Sequence, residues 1–193
     1  MELRRLNLDF ESVLTFILEN FTKHKIQFAL IGGFALYAAG HQRTTEDINF
    51  LVAIEDMPKV KGLLSSFGYE LIHENKDVSN FVGKVKELGR VDFLHAHRSY
   101  SRKMLERAIE RVILTKEVKV KVIRPEDLIG LKVQSSVNDP QRYHQDMADI
   151  ESLVRVNRGK LDMDLIKEYF NLFEKEKELN EILARLDDAE STR

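Results

Sequence analysis

The chain has 193 residues, of which 43% are hydrophobic, and its 30 basic and 32 acidic residues give a formal net charge of −2. This length and composition fit one globular domain, or one domain with an appendage, that buries its own core. The balanced charge excludes a global attraction to nucleic acid or membranes, and the absence of cysteine excludes disulfide and thiol chemistry. No apolar run approaches the roughly 20 residues that span a bilayer, so we expect a cytoplasmic protein without a membrane segment.

The chain up to residue 124 mixes helix and strand patterns. Apolar residues at helical spacing predict a first helix over 9–24, with Asp9 as its N-cap. The later patterns predict, in chain order, a strand at 26–31, a short helix ending at Gly40, a strand at 47–54, a helix at 55–68, a strand at 69–74, a hairpin over 80–96 that turns near Leu88 and Gly89, a helix over 100–111 and a last strand at 119–124.

Only helix patterns follow. Pro125 suits the first position of a helix over 125–136, and two further helical stretches cover 140–157 and 162–188. Mixed strands and helices followed by helices alone predict an α/β (α+β) fold. We therefore expect an α/β core over 1–124 and a helical C-terminal part over 125–193 that packs on the core.

A Gly-Gly pair, Gly32 and Gly33, follows the first predicted strand. Such a pair lets the backbone approach a ligand closely, and the N–H groups at the start of the following helix favour phosphate. A tight turn between a strand and a helix explains the same pair. The motif alone therefore does not decide between a structural and a binding role.

Asp47 and Asn49 lie two residues apart at the start of the next predicted strand, so their side chains point to one face of the sheet. Asp92 lies in another apolar strand, where a buried carboxylate is costly unless it is paired or bound to metal. If the two strands are neighbours, the three side chains converge and suit Mg²⁺ bound to substrate phosphates. A strand-end aspartate that caps a backbone group explains Asp92 equally well.

Arg43 and Thr45 precede these ligands and are suited to phosphate oxygens, although an ordinary polar loop has the same composition. The order of Gly-Gly, short helix, Arg-x-Thr-x-Asp and a later strand aspartate resembles the nucleotidyltransferase superfamily that shares the DNA polymerase β palm fold. Within it, the chain resembles the abortive-infection nucleotidyltransferases, whose members include toxins of type IV toxin–antitoxin pairs.

The resemblance implies a palm-like mixed sheet flanked by helices and a site that uses Mg²⁺ or Mn²⁺ with a nucleoside triphosphate as substrate. The implied metal ligands are Asp47, Asn49 and Asp92. The implied nucleotide-binding residues are Gly32, Gly33, Arg43, Thr45 and Lys132. Lys132 matches a family lysine that holds phosphates, and Asp146 and Asp149 match an Asp-x-x-Asp pair that would orient or deprotonate the acceptor.

The implied reaction transfers a nucleoside monophosphate to a hydroxyl of RNA, protein or a small molecule, and the implied partner is an antitoxin or a second copy of the chain. Asn49 departs from the family, which has aspartate there. Asparagine can bind Mg²⁺ through its carbonyl oxygen but brings no charge. An enzyme with weakened metal binding, a nucleotide- or partner-binding module without turnover, and an introduced substitution all fit this residue. An unrelated α/β domain with structural glycines and aspartates is a further alternative.

Overall fold

The computed structural model describes residues 10–41, 45, 47–113 and 118–191, so the predicted cap Asp9 and the predicted phosphate ligand Arg43 lie outside the described residues. The described residues form two compact units. Unit 1 runs to Phe34 and resumes from Thr45 to Ile123, and unit 2 contains Ala35 to His41 and the chain from Arg124 onward.

Unit 1 is built on a mixed sheet of seven strands, which confirms the predicted fold class. The strand order is β3-β4-β5-β2-β1-β7-β6, in which β2 and β5 run parallel and β1 runs antiparallel to β2. The strands are β1 (Phe28–Ile31), β2 (Asp47–Ala53), β3 (Tyr69–Glu74), β4 (Val78–Gly83), β5 (Arg90–Ala96), β6 (Ile109–Ile113) and β7 (Val118–Val122). The accompanying helices are α1 (Phe10–Lys23), α3 (Met57–Ser66) and α4 (Ser99–Glu106), and α2 (Gly32–Ala38) begins in this unit.

An aromatic cluster fills one face of the sheet. Phe21 of α1 lies 5.4 Å from Phe50 of β2, and the Phe50 ring stacks on Phe93 of β5 at 5.6 Å, measured between ring centroids. All three side chains are buried. Because side chains alternate across a strand, the residues beside Phe50 and Phe93 point to the other face. Burial of one face therefore sets which residues the sheet presents on the opposite face.

The predicted helix over 100–111 is wrong at its C-terminal end. Helix α4 ends at Glu106, and Ile109–Ile113 form β6, an edge strand that pairs antiparallel with β7. Arginine and glutamate around this point are good helix formers. Pairing with β7 overrides that preference, because strand propensity depends on the neighbouring strand.

Unit 2 contains the C-terminal helices. Among the described residues these are α5 (Pro125–Asn138), α6 (Tyr143–Val156), α7 (Met163–Leu172) and α8 (Glu176–Ser191). The Tyr169 hydroxyl donates a hydrogen bond of 2.6 Å to buried Asp127, and a Cβ on Gly130 would lie 2.7 Å from the Tyr169 ring. Glycine at 130 therefore lets α5 and α7 approach closely. None of the described helices has the length and apolar character that crossing a membrane requires.

A buried histidine joins β5 to β4 and to the turn before it. His95 is 3% exposed, its Nδ1 lies 3.1 Å from the carbonyl oxygen of Lys76, and its Nε2 lies 2.9 Å from Ser79 Oγ. The carbonyl only accepts, so Nδ1 carries the hydrogen, and the single hydroxyl hydrogen of Ser79 is shared between His95 Nε2 and Glu74 Oε1, which lies 3.1 Å from Ser79 Oγ. Burial of the ring lowers the pKa of His95 below the usual 6.5.

We expect the free energy of unfolding to fall as the pH drops below about 6.5, because the unfolded chain then takes up a proton that folded His95 resists. The slope due to one group is at most about 1.4 kcal/mol per pH unit. Urea unfolding at pH 5–8 measures it. His95→Asn should flatten the slope in this range, whereas His73→Asn, at an exposed position of β3, should not. Equal slopes in wild type and His95→Asn would contradict the assignment.

Candidate functional site

Three of the predicted site residues lie on adjacent parallel strands in unit 1. Asn49 on β2 is the register partner of Asp92 on β5, and Asp47 is the partner of Arg90. Neighbouring strands are about 4.8 Å apart, and residues two apart share a face. Ile48 and Phe50 are buried in the core, so Asp47, Asn49 and Asp92 share the opposite face.

Two side chains among the described residues donate hydrogen bonds to Asp92. Arg90 Nε donates to both carboxylate oxygens, at 2.9 Å to Oδ1 and 3.1 Å to Oδ2, and Asn80 Nδ2 of β4 donates to Oδ1 at 2.7 Å. The hydrogen bond to Asp92 raises the pKa of Arg90, and the negative charges of Asp92 and Asp47 raise it further. Burial acts in the opposite direction but is outweighed. Arg90 is therefore an ion-pair partner of Asp92 from the same strand.

The glycine pair packs directly against the β2 side of the site. A Cβ on Gly33 would lie 2.5 Å from Thr45 Cβ, and a Cβ on Gly32 would lie 3.0 Å from Asn49 Nδ2. Gly32 also has a φ of +64°, which favours glycine. Thr45 Oγ1 and Asn49 Nδ2 both donate to the backbone carbonyl of Asp47, at 3.1 and 3.3 Å. The glycines thus make room for the two residues that flank Asp47.

The donor set on this face fits one divalent cation of the Mg²⁺ type. Two carboxylates and one amide oxygen are hard ligands, and Mg²⁺ is commonly held by one or two carboxylates together with substrate phosphates. Among the residues that the structure describes, no group of three or more acidic or histidine side chains is suited to a metal. Asn49, where the resembled family has aspartate, brings an amide to this face in place of a third carboxylate.

Lys132, Asp146 and Asp149 form a buried charge cluster in unit 2. Lys132 Nζ donates to Asp146 Oδ1 at 3.0 Å and to Asp149 Oδ2 at 2.5 Å. His41 Nε2 lies 3.5 Å from Asp149 Oδ1, and its Nδ1 lies 2.7 Å from Ser152 Oγ. Both aspartates and the lysine are almost fully buried. The structure thus places the predicted phosphate ligand Lys132 together with the predicted acceptor residues, and the cluster joins α5 to α6.

Three polar residues of these two groups were missed by sequence reasoning. Arg90 and Asp92 are two residues apart on one strand, the same spacing that identified Asp47 with Asn49, so the alternation rule could have found Arg90. Asn80 needed the register of β4 against β5. His41 is distant in sequence from Asp149, and no local pattern indicated that contact.

Gly33→Ala is expected to lower the free energy of unfolding by about 1–3 kcal/mol, because the added methyl group must displace Thr45. The matched control is Gly62→Ala in α3, where a Cβ would meet nothing within 4 Å. That change should stabilise the protein by about 0.5–1 kcal/mol, the helix preference of alanine over glycine. Urea unfolding of both variants measures the difference. Similar stabilisation by both substitutions would show that Thr45 does not need the space.

Lys132→Met is expected to cost about 3–5 kcal/mol of stability, because it removes the ammonium that binds both buried carboxylates and leaves Asp146 only the exposed Arg142, whose Nε lies 3.5 Å from Oδ2. Lys167→Met is the control. Its exposed pair with Asp164 on α7 should contribute less than about 1 kcal/mol. Chemical unfolding curves compare the two. If Lys132→Met keeps its stability and loses only nucleotide affinity, Lys132 binds phosphate and does not hold the cluster together.

Comparison with known proteins identifies the family. A model described as "Nucleotidyl transferase of unknown function (DUF2204)" matches residues 11–188. No curated protein matches the chain.

Similar solved structures include the antibiotic-resistance factor ANT(2″)-Ia, at 15% identity over 96% of this chain and 100% of that chain, with a TM-score of 0.62. A nucleotidyltransferase-like antigen from Paracoccidioides brasiliensis has 17% identity over 92% of both chains and a TM-score of 0.56. The lincosamide antibiotic adenylyltransferase LnuA has 19% identity over 75% of this chain and 98% of that chain, with a TM-score of 0.52. These similarities show a common fold, and the family match shows that the chain belongs to the nucleotidyl transferase family.

Proposed function

We propose that the protein transfers a nucleoside monophosphate from a nucleoside triphosphate to an acceptor hydroxyl in a metal-dependent reaction. The observation that carries this proposal is the register of β2 against β5, with Asn49 opposite Asp92 and Asp47 on the same face. Two carboxylates and an amide oxygen at the ends of adjacent strands are suited to a divalent cation that also binds phosphate.

In this reaction the acceptor oxygen forms a bond to the α-phosphorus, the bond from that phosphorus to the bridging oxygen breaks, and pyrophosphate leaves with the electron pair. The bound cation supplies charge neutralisation at the phosphate oxygens. Asp47 and Asp92 would hold it through their carboxylates and Asn49 through its amide oxygen. Gly32, Gly33, Thr45 and Arg43 would bind the phosphates, as the resemblance implies. The hydroxyl proton leaves to a carboxylate or to water.

For the cluster in unit 2 we propose a positioning role. Lys132, Asp146 and Asp149 are almost fully buried, so contact with phosphate or an acceptor requires them to leave their partners. The Lys132 ammonium neutralises one of the two carboxylates, and Arg142 Nε, at 3.5 Å from Asp146 Oδ2, brings a second positive charge to the cluster. The cluster therefore orients α5 and α6, and the predicted direct contacts with phosphate and acceptor become secondary expectations that the Lys132→Met comparison tests.

A small molecule with hydroxyl groups is the acceptor class that we propose to test first. The structure of ANT(2″)-Ia was solved with adenylyl-2″-tobramycin and that of LnuA with lincomycin. Both folds resemble this one, and both compounds are small molecules. Hydroxyl groups of RNA and protein are the acceptors to test next. The resemblance to the abortive-infection family implies a cytoplasmic toxin with an antitoxin partner.

A second candidate function is nucleotide binding without turnover. The observations that favour it are Asn49, which lowers the negative charge of the site, and the pairing of Asp92 with Arg90. Both features weaken the attraction for a divalent cation. Such a protein would act as a nucleotide sensor or partner-binding module on a transferase fold.

The test is an assay with α-labelled nucleoside triphosphates, supplied singly with Mg²⁺ or Mn²⁺, in the presence of hydroxyl-bearing antibiotics, RNA or the protein itself. We expect transfer by the wild-type chain, a loss of at least about 100-fold in Asp47→Ala because a cation ligand is removed, and a gain in Asn49→Asp. Asp164→Ala, at an exposed acid in α7, is the control and should keep full activity.

Full activity in a correctly folded Asp47→Ala variant would sink the proposed reaction. Transfer by Asn49→Asp alone would show that Asn49 silences an otherwise complete site. Nucleotide binding without product in every variant and with every acceptor would support the second candidate function.

A further inference from the structure

Arg90 occupies the position from which a cation can neutralise Asp92. It is the first residue of β5, two residues before Asp92, and therefore projects from the same face as the proposed metal ligands. Its Nε alone makes both hydrogen bonds to the carboxylate, so the four hydrogens of its terminal nitrogens lie outside this contact. The guanidinium is thus bound to one carboxylate and still presents donors to a further ligand.

A divalent cation that binds Asp92 has to compete with this guanidinium for the carboxylate oxygens. Arg90 bonds to both oxygens of Asp92, and Asn80 takes a further position on Oδ1. A carboxylate offers about four lone-pair positions, so little of Asp92 is left for a metal. Charge acts in the same direction, because the Arg90 guanidinium offsets part of the negative charge of Asp92 and Asn49 brings no charge.

The Arg90 side chain is free enough to leave. It is 45% exposed, against 20% for Asp92, and partly exposed ion pairs hold together only weakly. A cation with two positive charges, or a triphosphate that offers the guanidinium a bidentate partner, is therefore able to displace the contact. The arrangement gives competition between two cations for one carboxylate and not a permanent block.

We propose that Arg90 competes with the divalent cation for Asp92, so that the nucleotide-free site binds metal weakly and accepts it fully only when Arg90 leaves the carboxylate. This inference rests on the proposed function, since it concerns the same metal site. It assigns Arg90 a positioning role, because Arg90 acts through Asp92.

The experiment is a titration of the full chain with Mn²⁺, without nucleotide or acceptor, following free Mn²⁺ by electron paramagnetic resonance. Arg90→Gln should bind Mn²⁺ about tenfold more tightly than wild type, because one nearby positive charge has gone. Arg90→Met, which removes the same charge with an apolar side chain, should show the same gain. Arg102→Gln is the matched control, since Arg102 of α4 is ion-paired with Glu55 away from the site. The Mn²⁺ affinity of this variant should stay at the wild-type value.

A gain in both Arg90 variants that disappears when Asp92→Asn is added supports the proposal. Unchanged or weaker Mn²⁺ binding in the Arg90 variants overturns it, as does an equal gain in Arg102→Gln or the absence of Mn²⁺ binding in every variant. Circular dichroism of each variant confirms folding. The titration measures metal binding without turnover, so a negative result contradicts the role of Arg90 alone. The transfer assay, in which metal and nucleotide are added together, tests the proposed reaction.

Discussion

The parallel pairing of β2 with β5 is the constraint on which the candidate site depends. The hydrogen-bonding register puts Asn49 beside Asp92 and Asp47 beside Arg90. The aromatic cluster of Phe21, Phe50 and Phe93 buries the other face and therefore holds that register. The polar residues are brought together by apolar neighbours that lie one position away along the same strands.

Charge distinguishes this site from a site with three carboxylates. Asn49 can still offer an oxygen to a metal, and its position against Gly32 shows that the amide is accommodated closely. The missing negative charge weakens the attraction for cations, and Arg90 weakens it further through Asp92. The chain belongs to a nucleotidyl transferase family, and in the proposed metal site the charge is set by Asp47, Asn49, Asp92 and Arg90.

Much of the fold could be predicted from the sequence, because the alternation of apolar residues in strands and their spacing in helices are local signals. Asp47 and Asn49 at the start of β2 and the glycine pair that begins α2 indicated the candidate site, and the strand at 69–74 was predicted with its observed bounds. Strand β6 was missed, since its residues favour a helix locally and become a strand only through β7. The contacts of Asn80 with Asp92 and of Lys132 with two aspartates depend on pairing between distant segments, which no local pattern encodes.

The alternation of side chains along β2 has a consequence for how such a protein can evolve. Residues that stabilise the sheet and residues proposed to bind ligand occupy alternate positions, Ile48 and Phe50 on one face and Asp47 and Asn49 on the other. A substitution at position 49 changes the chemistry of the outer face and leaves the packed face intact. Under the proposed function, one substitution on this face therefore adds or removes a charged metal ligand while the packed core is preserved.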